Sequence, residues 1–287
     1  MRTVPFQQVD VFTAVPFKGN PLAVVLEGDG ISSAKMQAIA RWTNLSETTF
    51  LCTPTVGGAD YRLRIFTPKR ELPFAGHPTL GSAHAALRHG LAPKTAGRLV
   101  QECGKGLIVI AIDGDRQFFA VPEPTFRDLE GADLVRVADA LSITVADIRA
   151  SAIIDVGPVW LTLQVDSGEA VAALQPRMEK LAALAPLGIT GVNVFGVYGP
   201  GAATNVEVRS FAPTEGVPED PVCGSGNGCV AAMIGREGLT LFTDRGYVAS
   251  QGRCLGREGL VSVRFAENGA IWVGGQTVTC IEGSLTV

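Results

Sequence analysis

Residues 62–87 read RLRIFTPKRELPFAGHPTLGSAHAAL, and residues 207–233 read EVRSFAPTEGVPEDPVCGSGNGCVAAM. Each runs from an alternating apolar strand through a proline-bearing connection to a glycine-rich turn that opens a helix of small residues. Arg64 matches Arg209, Phe66 matches Phe211, Pro68 matches Pro213 and Pro73 matches Pro218, all at an offset of 145 (64 to 209). A three-residue slip then aligns Gly76-His77 with Gly224-Ser225. A repeat this long predicts two related lobes with a site between them, each lobe giving one anion-receptive turn.

Working outward, Val9–Phe12 and Leu22–Leu26 read as strands around the turn FKGNP, and Ile31–Asn44 reads as a helix capped by Ser32 or Ser33. Glu47 follows where this helix hands over to the strand TTFLC. The first glycine turn leads into a helix over about Thr79–His89, followed by the strands LVQECG and LIVIAID. FFAVPEP marks the crossing into the second lobe, which gives lobes of residues 1–120 and 121–287. The second lobe repeats the plan, with EAVAALQPRMEKLAAL as a helical stretch and GYVASQ, LVSVRF, AIWVGG and TVTCIEG as separate closing strands. One of these last strands is a candidate to return to the first lobe. The helices LGSAHAALRH and NGCVAAMIG carry almost no charge on any face, which places them in cores. The expected fold is therefore α+β: two pseudo-symmetric lobes, each a strongly curved mixed sheet or open barrel around a central helix.

A net charge of −4 with no basic stripe excludes a nucleic-acid partner. No apolar run is long enough to span a bilayer. The beginning MRTVPFQQVDVFT alternates like a strand and lacks the apolar core of a signal segment. The six cysteines are scattered, with no CxxC pair, and the three histidines offer no second half of a zinc site. The expectation is a cytoplasmic protein with reduced thiols and no metal.

A helix N-terminus leaves amides unpaired and carries partial positive charge, so both glycine turns are candidate carboxylate receptors through Gly76 and Gly224. The run Gly224-Ser225-Gly226-Asn227-Gly228 is not a dinucleotide fingerprint, because the third glycine would fall on Cys229. Nor is it a hydrolase elbow, since Cys223 stands two residues before Ser225. Glu47 has no lysine or arginine within several residues, and reads either as a partly desolvated carboxyl poised as a proton shuttle or as an exposed turn glutamate. His77, between Gly76 and Pro78, reads either as an ordinary turn histidine or as a group aimed at a ligand, to hydrogen-bond a substrate carbonyl or carry a proton. Asp220 reads either as a substrate-orienting group or as a local turn residue. Cys223 reads either as a second base or as a small buried filler.

The strings DVFT, FKGNPLAVV, NLSETTF, ELPFAGHPTLG, DVGPVW and EDPVCGSGNG occur in this order. Together they resemble the phenazine-biosynthesis isomerase (PhzF-like) family, which shares the fold of diaminopimelate epimerase. The resemblance implies that Glu47 is the general acid/base and that His77 and Asp220 hold and polarise substrate. It likewise implies that Ser225 and the amides of Gly76 and Gly224 receive the substrate carboxylate. The epimerase relatives use two opposed cysteines, and the matching positions here are Ala75 and Cys223, so one thiol of that pair is missing.

The expected activity is a cofactor-independent isomerase that moves a proton within a small carboxylate-bearing substrate, in a chain suited to a homodimer. Two alternatives stand beside it: a single-centre racemase or epimerase using Cys223, and a non-catalytic metabolite-binding protein.

Overall fold

The computed structural model describes residues 1–239 and 245–287, in two compact units. One comprises Met1–Ala120 with Gly274–Val287, and the other Val121–Val273.

The first unit opens with β1 (Thr3–Val11) and β2 (Asn20–Val25), followed by α1 (Ser33–Thr43), β3 (Thr48–Cys52) and β4 (Tyr61–Phe66). The two-residue β5 (Glu71–Leu72) precedes α2 (Gly76–Arg88), after which β6 (Arg98–Cys103), β7 (Gly106–Asp113) and β8 (Arg116–Ala120) complete the run. Pairing passes from β1 to β2, β3, β4, β6, β7 and β8. It then returns to β1 through the last strand of the chain, so eight strands close into a barrel. Closure leaves no edge in this ring. Inside it lies α2, packed on β1, β2, β3, β4 and β8. A Cβ on Gly81 would fall 2.7 Å from Leu22 Cδ2 and 2.8 Å from Val11 Cγ2, so glycine is what lets the helix approach the wall. On the outside, α1 lays Met36, Ile39 and Ala40 over Val4, Val25, Phe50 and Phe66.

The second unit has β9 (Thr125–Arg127), α3 (Gly131–Leu141), β10 (Ile148–Asp155), β11 (Val159–Val165), α4 (Gly168–Ala173) and α5 (Met178–Ala182). It continues with β12 (Gly191–Val197), β13 (Val206–Ala212), β14 (Val217–Asp220), α6 (Gly224–Arg236), β15 (Gly246–Gln251), β16 (Gly259–Phe265) and the start of β17 (Ile271–Thr286). The pairings repeat those of the first unit. An antiparallel hairpin (β10–β11) leads to a parallel neighbour (β12), then to an antiparallel strand (β13) that carries a short partner (β14). Next comes a parallel neighbour (β15) and its antiparallel mate (β16). α6 packs on β10, β11, β12 and β16, while α3, α4 and α5 bring Val137, Leu141, Val171 and Leu181 into one core with Phe211 of β13.

Three readings of the sequence change. The three-residue slip falls before the proline, not after it: Ile65 pairs with Leu72 as Ser210 pairs with Asp220. Leu72 is thus the counterpart of Asp220, Pro73 that of Pro221 and Ala75 that of Cys223, at an offset of 148 (73 to 221). Packing agrees, since a Cβ on Gly104 would meet Pro73 and one on Gly252 would meet Pro221. The stretch EAVAALQPRMEKLAAL is two short helices, because Pro176 lacks an amide and pushes Gln175 out of helical geometry. AIWVGG and TVTCIEG form the single strand β17; Gly274 marks a close approach to Phe118 rather than a break, its Cβ position lying 2.4 Å from that ring. The portion Gly274–Val287 belongs to the first unit, where it pairs with β1. Among the described residues no helix is long and apolar enough to cross a membrane.

Candidate active site

In the first unit, α1 ends on Asn44 in the left-handed conformation, with its amide on Ala40 O at 3.2 Å. The Thr43 and Thr48 hydroxyls meet at 2.7 Å and pin the loop from both sides. Glu47 sits in that loop with its side chain 15% exposed, and its Oε2 lies 3.2 Å from His77 Nε2. Two predicted site residues that are 30 positions apart (47 to 77) are therefore in contact.

His77 is the second residue of α2, whose N-cap is Ala75 in extended conformation. The helix therefore begins at Gly76 rather than near Thr79. Gly76 and His77 accordingly contribute first-turn amides, and Pro78, having none, loses nothing there. Burial holds the imidazole neutral by pulling its pKa down to about 3. Asn20 Nδ2 faces His77 Nδ1 at 3.4 Å. With Nδ1 accepting from Asn20, the neutral tautomer carries its proton on Nε2, the atom that lies 3.2 Å from Glu47 Oε2.

In the second unit, β14 and the start of α6 bring Asp220, Cys223, Gly224 and Ser225 together. Cys223 is the N-cap of α6, and its Sγ accepts the Gly226 amide at 3.2 Å. Burial pushes the Cys223 thiol well above its ordinary value, with the neighbouring Asp220 adding to the shift. Asp220 Oδ1 accepts the Val222 amide at 3.0 Å, while burial raises the carboxyl to about 6. Ser225 Oγ lies 3.6 Å from Cys223 Sγ and accepts the Trp160 indole N–H at 3.0 Å. An indole is a donor only, so it occupies an acceptor site on Oγ and leaves the hydroxyl proton to be donated.

Beneath the turn, Gln251 Oε1 accepts the Cys223 amide at 3.0 Å and Asn227 Nδ2 at 2.8 Å. Its Nε2 donates to Ser210 Oγ at 3.1 Å and to Asp220 O at 3.2 Å. One buried amide thus ties β13, β14 and the α6 turn to β15. Sequence reasoning assigned no role to Asn20, Trp160, Asn227 or Gln251. Asn20 and Trp160 do stand in FKGNP and DVGPVW, strings already singled out, whereas nothing near Gln251 marks it.

With this arrangement established, comparison with known proteins is informative. A family model described as "Phenazine biosynthesis-like protein" matches residues 9–283. The chain belongs to the phenazine biosynthesis-like family. Among relatives of this family, "Antisense-enhancing sequence 1" of Schizosaccharomyces pombe is 41% identical, with 97% of each chain covered. The trans-2,3-dihydro-3-hydroxyanthranilate isomerase of Pseudomonas fluorescens is 37% identical, over 82% of this chain and 81% of that one. A crystal structure of a Bacillus anthracis phenazine biosynthesis protein of the PhzF family covers 100% of both chains with a TM-score of 0.86; at 23% identity it speaks for the fold alone. The phenazine biosynthesis-like fold is α+β and is shared with epimerase-like proteins. Several relatives bear the name isomerase, and this chain is an isomerase of that family.

Proposed function

We propose that this isomerase moves a proton within a small carboxylate-bearing substrate, without a cofactor, and that Glu47 is the acid/base. The observation that carries the reading is the buried contact between Glu47 and a neutral His77. As a carboxylate, Glu47 takes a proton from a carbon next to an electron-withdrawing group. As a carboxylic acid, it returns that proton to another carbon of the same allylic system, so one C–H bond breaks, another forms and nothing is oxidised. His77, whose Nε2 faces the carboxylate at 3.2 Å, positions Glu47. Asp220 orients a polar substituent.

In the second unit Ser225 and the first amide of α6, at Gly224, are assigned to the substrate carboxylate, and in the first unit Gly76 supplies the anion-receptive amide at the start of α2. The indole N–H on Ser225 Oγ supports this role, because it leaves a hydroxyl proton for an anion. The substrate class is that of cyclic amino or hydroxy carboxylates carrying a diene, in keeping with the names of the dihydro-hydroxyanthranilate isomerases among the relatives.

A single-centre epimerase would need an acid and a base on opposite faces of one carbon. Ala75 offers no exchangeable proton at the position paired with Cys223, and burial keeps Cys223 a thiol rather than a base. Incubation with trans-2,3-dihydro-3-hydroxyanthranilate and related acids in deuterated water, followed by NMR, tests the proposal. Deuterium appearing at a new carbon with migration of a double bond is the expected result. Inversion at the carbon that lost the proton would replace isomerisation with epimerisation, and binding without exchange would leave a metabolite-binding protein.

A further inference from the structure

The first unit contains a cavity of about 560 Å³ whose walls include Thr55, Arg62, Arg64, Leu72, Pro73 and Cys103. Neither Glu47, His77 nor Asn20 is among its lining residues. It opens where two strands leave β4 at different points. β5 pairs with β4 at Ile65 and Phe66, β6 pairs with it at Tyr61 and Arg62, and neither register includes Leu63 or Arg64. Pro73, having no amide, cannot extend the β5 ladder as a donor. Gly104 lies so close to Pro73 that a Cβ would fall 2.8 Å from its Cα.

Three of the four charged side chains around the cavity are committed to protein partners. Glu71 takes a two-pronged contact from Arg64, with Nε and Nη2 both at 2.7 Å. Glu102 accepts the Thr55 amide at 2.6 Å, the Val56 amide at 3.3 Å and the Thr55 hydroxyl. Arg62 stands opposite Glu102 in the β4–β6 register and is half-buried, yet it makes no hydrogen bond or ion pair with any described residue. The repeat indicates that the fold does not require a cation there. At the offset of 145 that holds along β4 and β13, the counterpart of Arg62 is Glu207, which is buried on Tyr198 and Ser250.

We propose that this cavity is a second ligand site, one that takes a small organic carboxylate on Arg62. A guanidinium presents its donors as a planar fork that matches a carboxylate, and although the Arg62 charge acts on Glu102 across the register, its donors are engaged by no described residue. Leu72 and Pro73 supply apolar wall for the body of the ligand. A cavity of this size lies within the range that small organic molecules occupy. The proposal is independent of Glu47 and of the reaction assigned to it.

Titration calorimetry of the full chain with benzoate as probe tests it, with inorganic phosphate as comparison. Benzoate binding is expected in the wild type and equally in Glu47→Gln and Ser225→Ala. Loss of one charge-assisted contact in Arg62→Gln should weaken it about tenfold or more. Arg62→Lys, which keeps the charge but not the fork, should fall between the two. Benzoate should also slow alkylation of Cys103 by iodoacetamide in the wild type, read by peptide mass spectrometry, a measurement that needs no variant to fold. The proposal is overturned if benzoate fails to bind below ~10 mM, or if Arg62→Gln binds it as well as the wild type does. It also falls if Ser225→Ala abolishes binding, which would move the probe to the catalytic turn, or if phosphate binds as tightly as benzoate.

Discussion

Replacing Glu47 with glutamine changes one oxygen for an NH₂ and removes a charge, with little change of volume. The amide oxygen can take the place of Glu47 Oε2, 3.2 Å from His77 Nε2, so the contact survives. His77 stays neutral, because burial rather than Glu47 sets its pKa near 3. The loop stays pinned by Thr43 and Thr48. The variant should therefore fold with a midpoint close to the wild type and bind the substrate carboxylate within about threefold, since no group assigned to that carboxylate has changed. An amide cannot accept a proton from carbon at neutral pH, and a positioned acid/base contributes on the order of 10²–10⁴ in rate. A loss of about a thousandfold corresponds to roughly 4 kcal/mol of transition-state stabilisation. Single-turnover deuterium incorporation from solvent, alongside calorimetric binding of the same ligand, separates the two effects. Exchange retained above a tenth of the wild-type rate would refute the assignment of Glu47. Loss of binding in parallel with exchange would make Glu47 a ligand anchor instead.

Ser225→Ala should raise the Michaelis constant for the carboxylate substrate about tenfold, the value of one hydrogen bond to a charged group, with a much smaller effect on kcat; an unchanged constant would remove Ser225 from the carboxylate site. The two arginines of the repeat should differ in stability when each is changed to alanine. Arg209 and Glu219 are 6% and 8% exposed, so Arg209→Ala strands a buried carboxylate at a cost of roughly 3–5 kcal/mol. Arg64 and Glu71 are 17% and 42% exposed, and Arg64→Ala should cost about 1 kcal/mol or less in urea unfolding. Two buried groups should set opposing pH dependences of stability. His77 falls from 6.5 to about 3 on folding, so its neutral form favours the native state and that stability is lost as pH drops through this window. Asp220 rises from 3.8 to about 6, so its stabilisation is present at low pH and lost as pH climbs towards 6. Each contributes at most about 1.4 kcal/mol per pH unit within its window. His77→Gln should be less sensitive to acid than the wild type, and Asp220→Asn more sensitive; identical slopes in urea titrations between pH 4 and pH 7 would contradict both.

The repeat in the sequence announced the fold, because a strand, a glycine turn and a small-residue helix recur with their spacing nearly intact, and a helix apolar on all sides has to be enclosed. Alternation located β4, β6, β7 and β13, and the serine pair placed the start of α1 to within two residues, with Ser32 rather than Ser33 as the cap. The slip in the repeat could not be placed from letters alone, since Pro73 matches Pro218 at one offset and Pro221 at the next; the pairing of Leu72 with Ile65 and of Asp220 with Ser210 settles it.

The pattern of motifs likewise named Glu47 and His77, but not their contact. Residue type and local spacing are properties of a few neighbouring positions, and they determined the helices, the strands and the chemistry on offer. What joins Asn20 to His77, Trp160 to Ser225 and Gln251 to Cys223 is closure of strands far apart in the chain. Those partners are selected by burial, which leaves each polar atom able to bond only to what the fold sets beside it, and only the tertiary structure decides that.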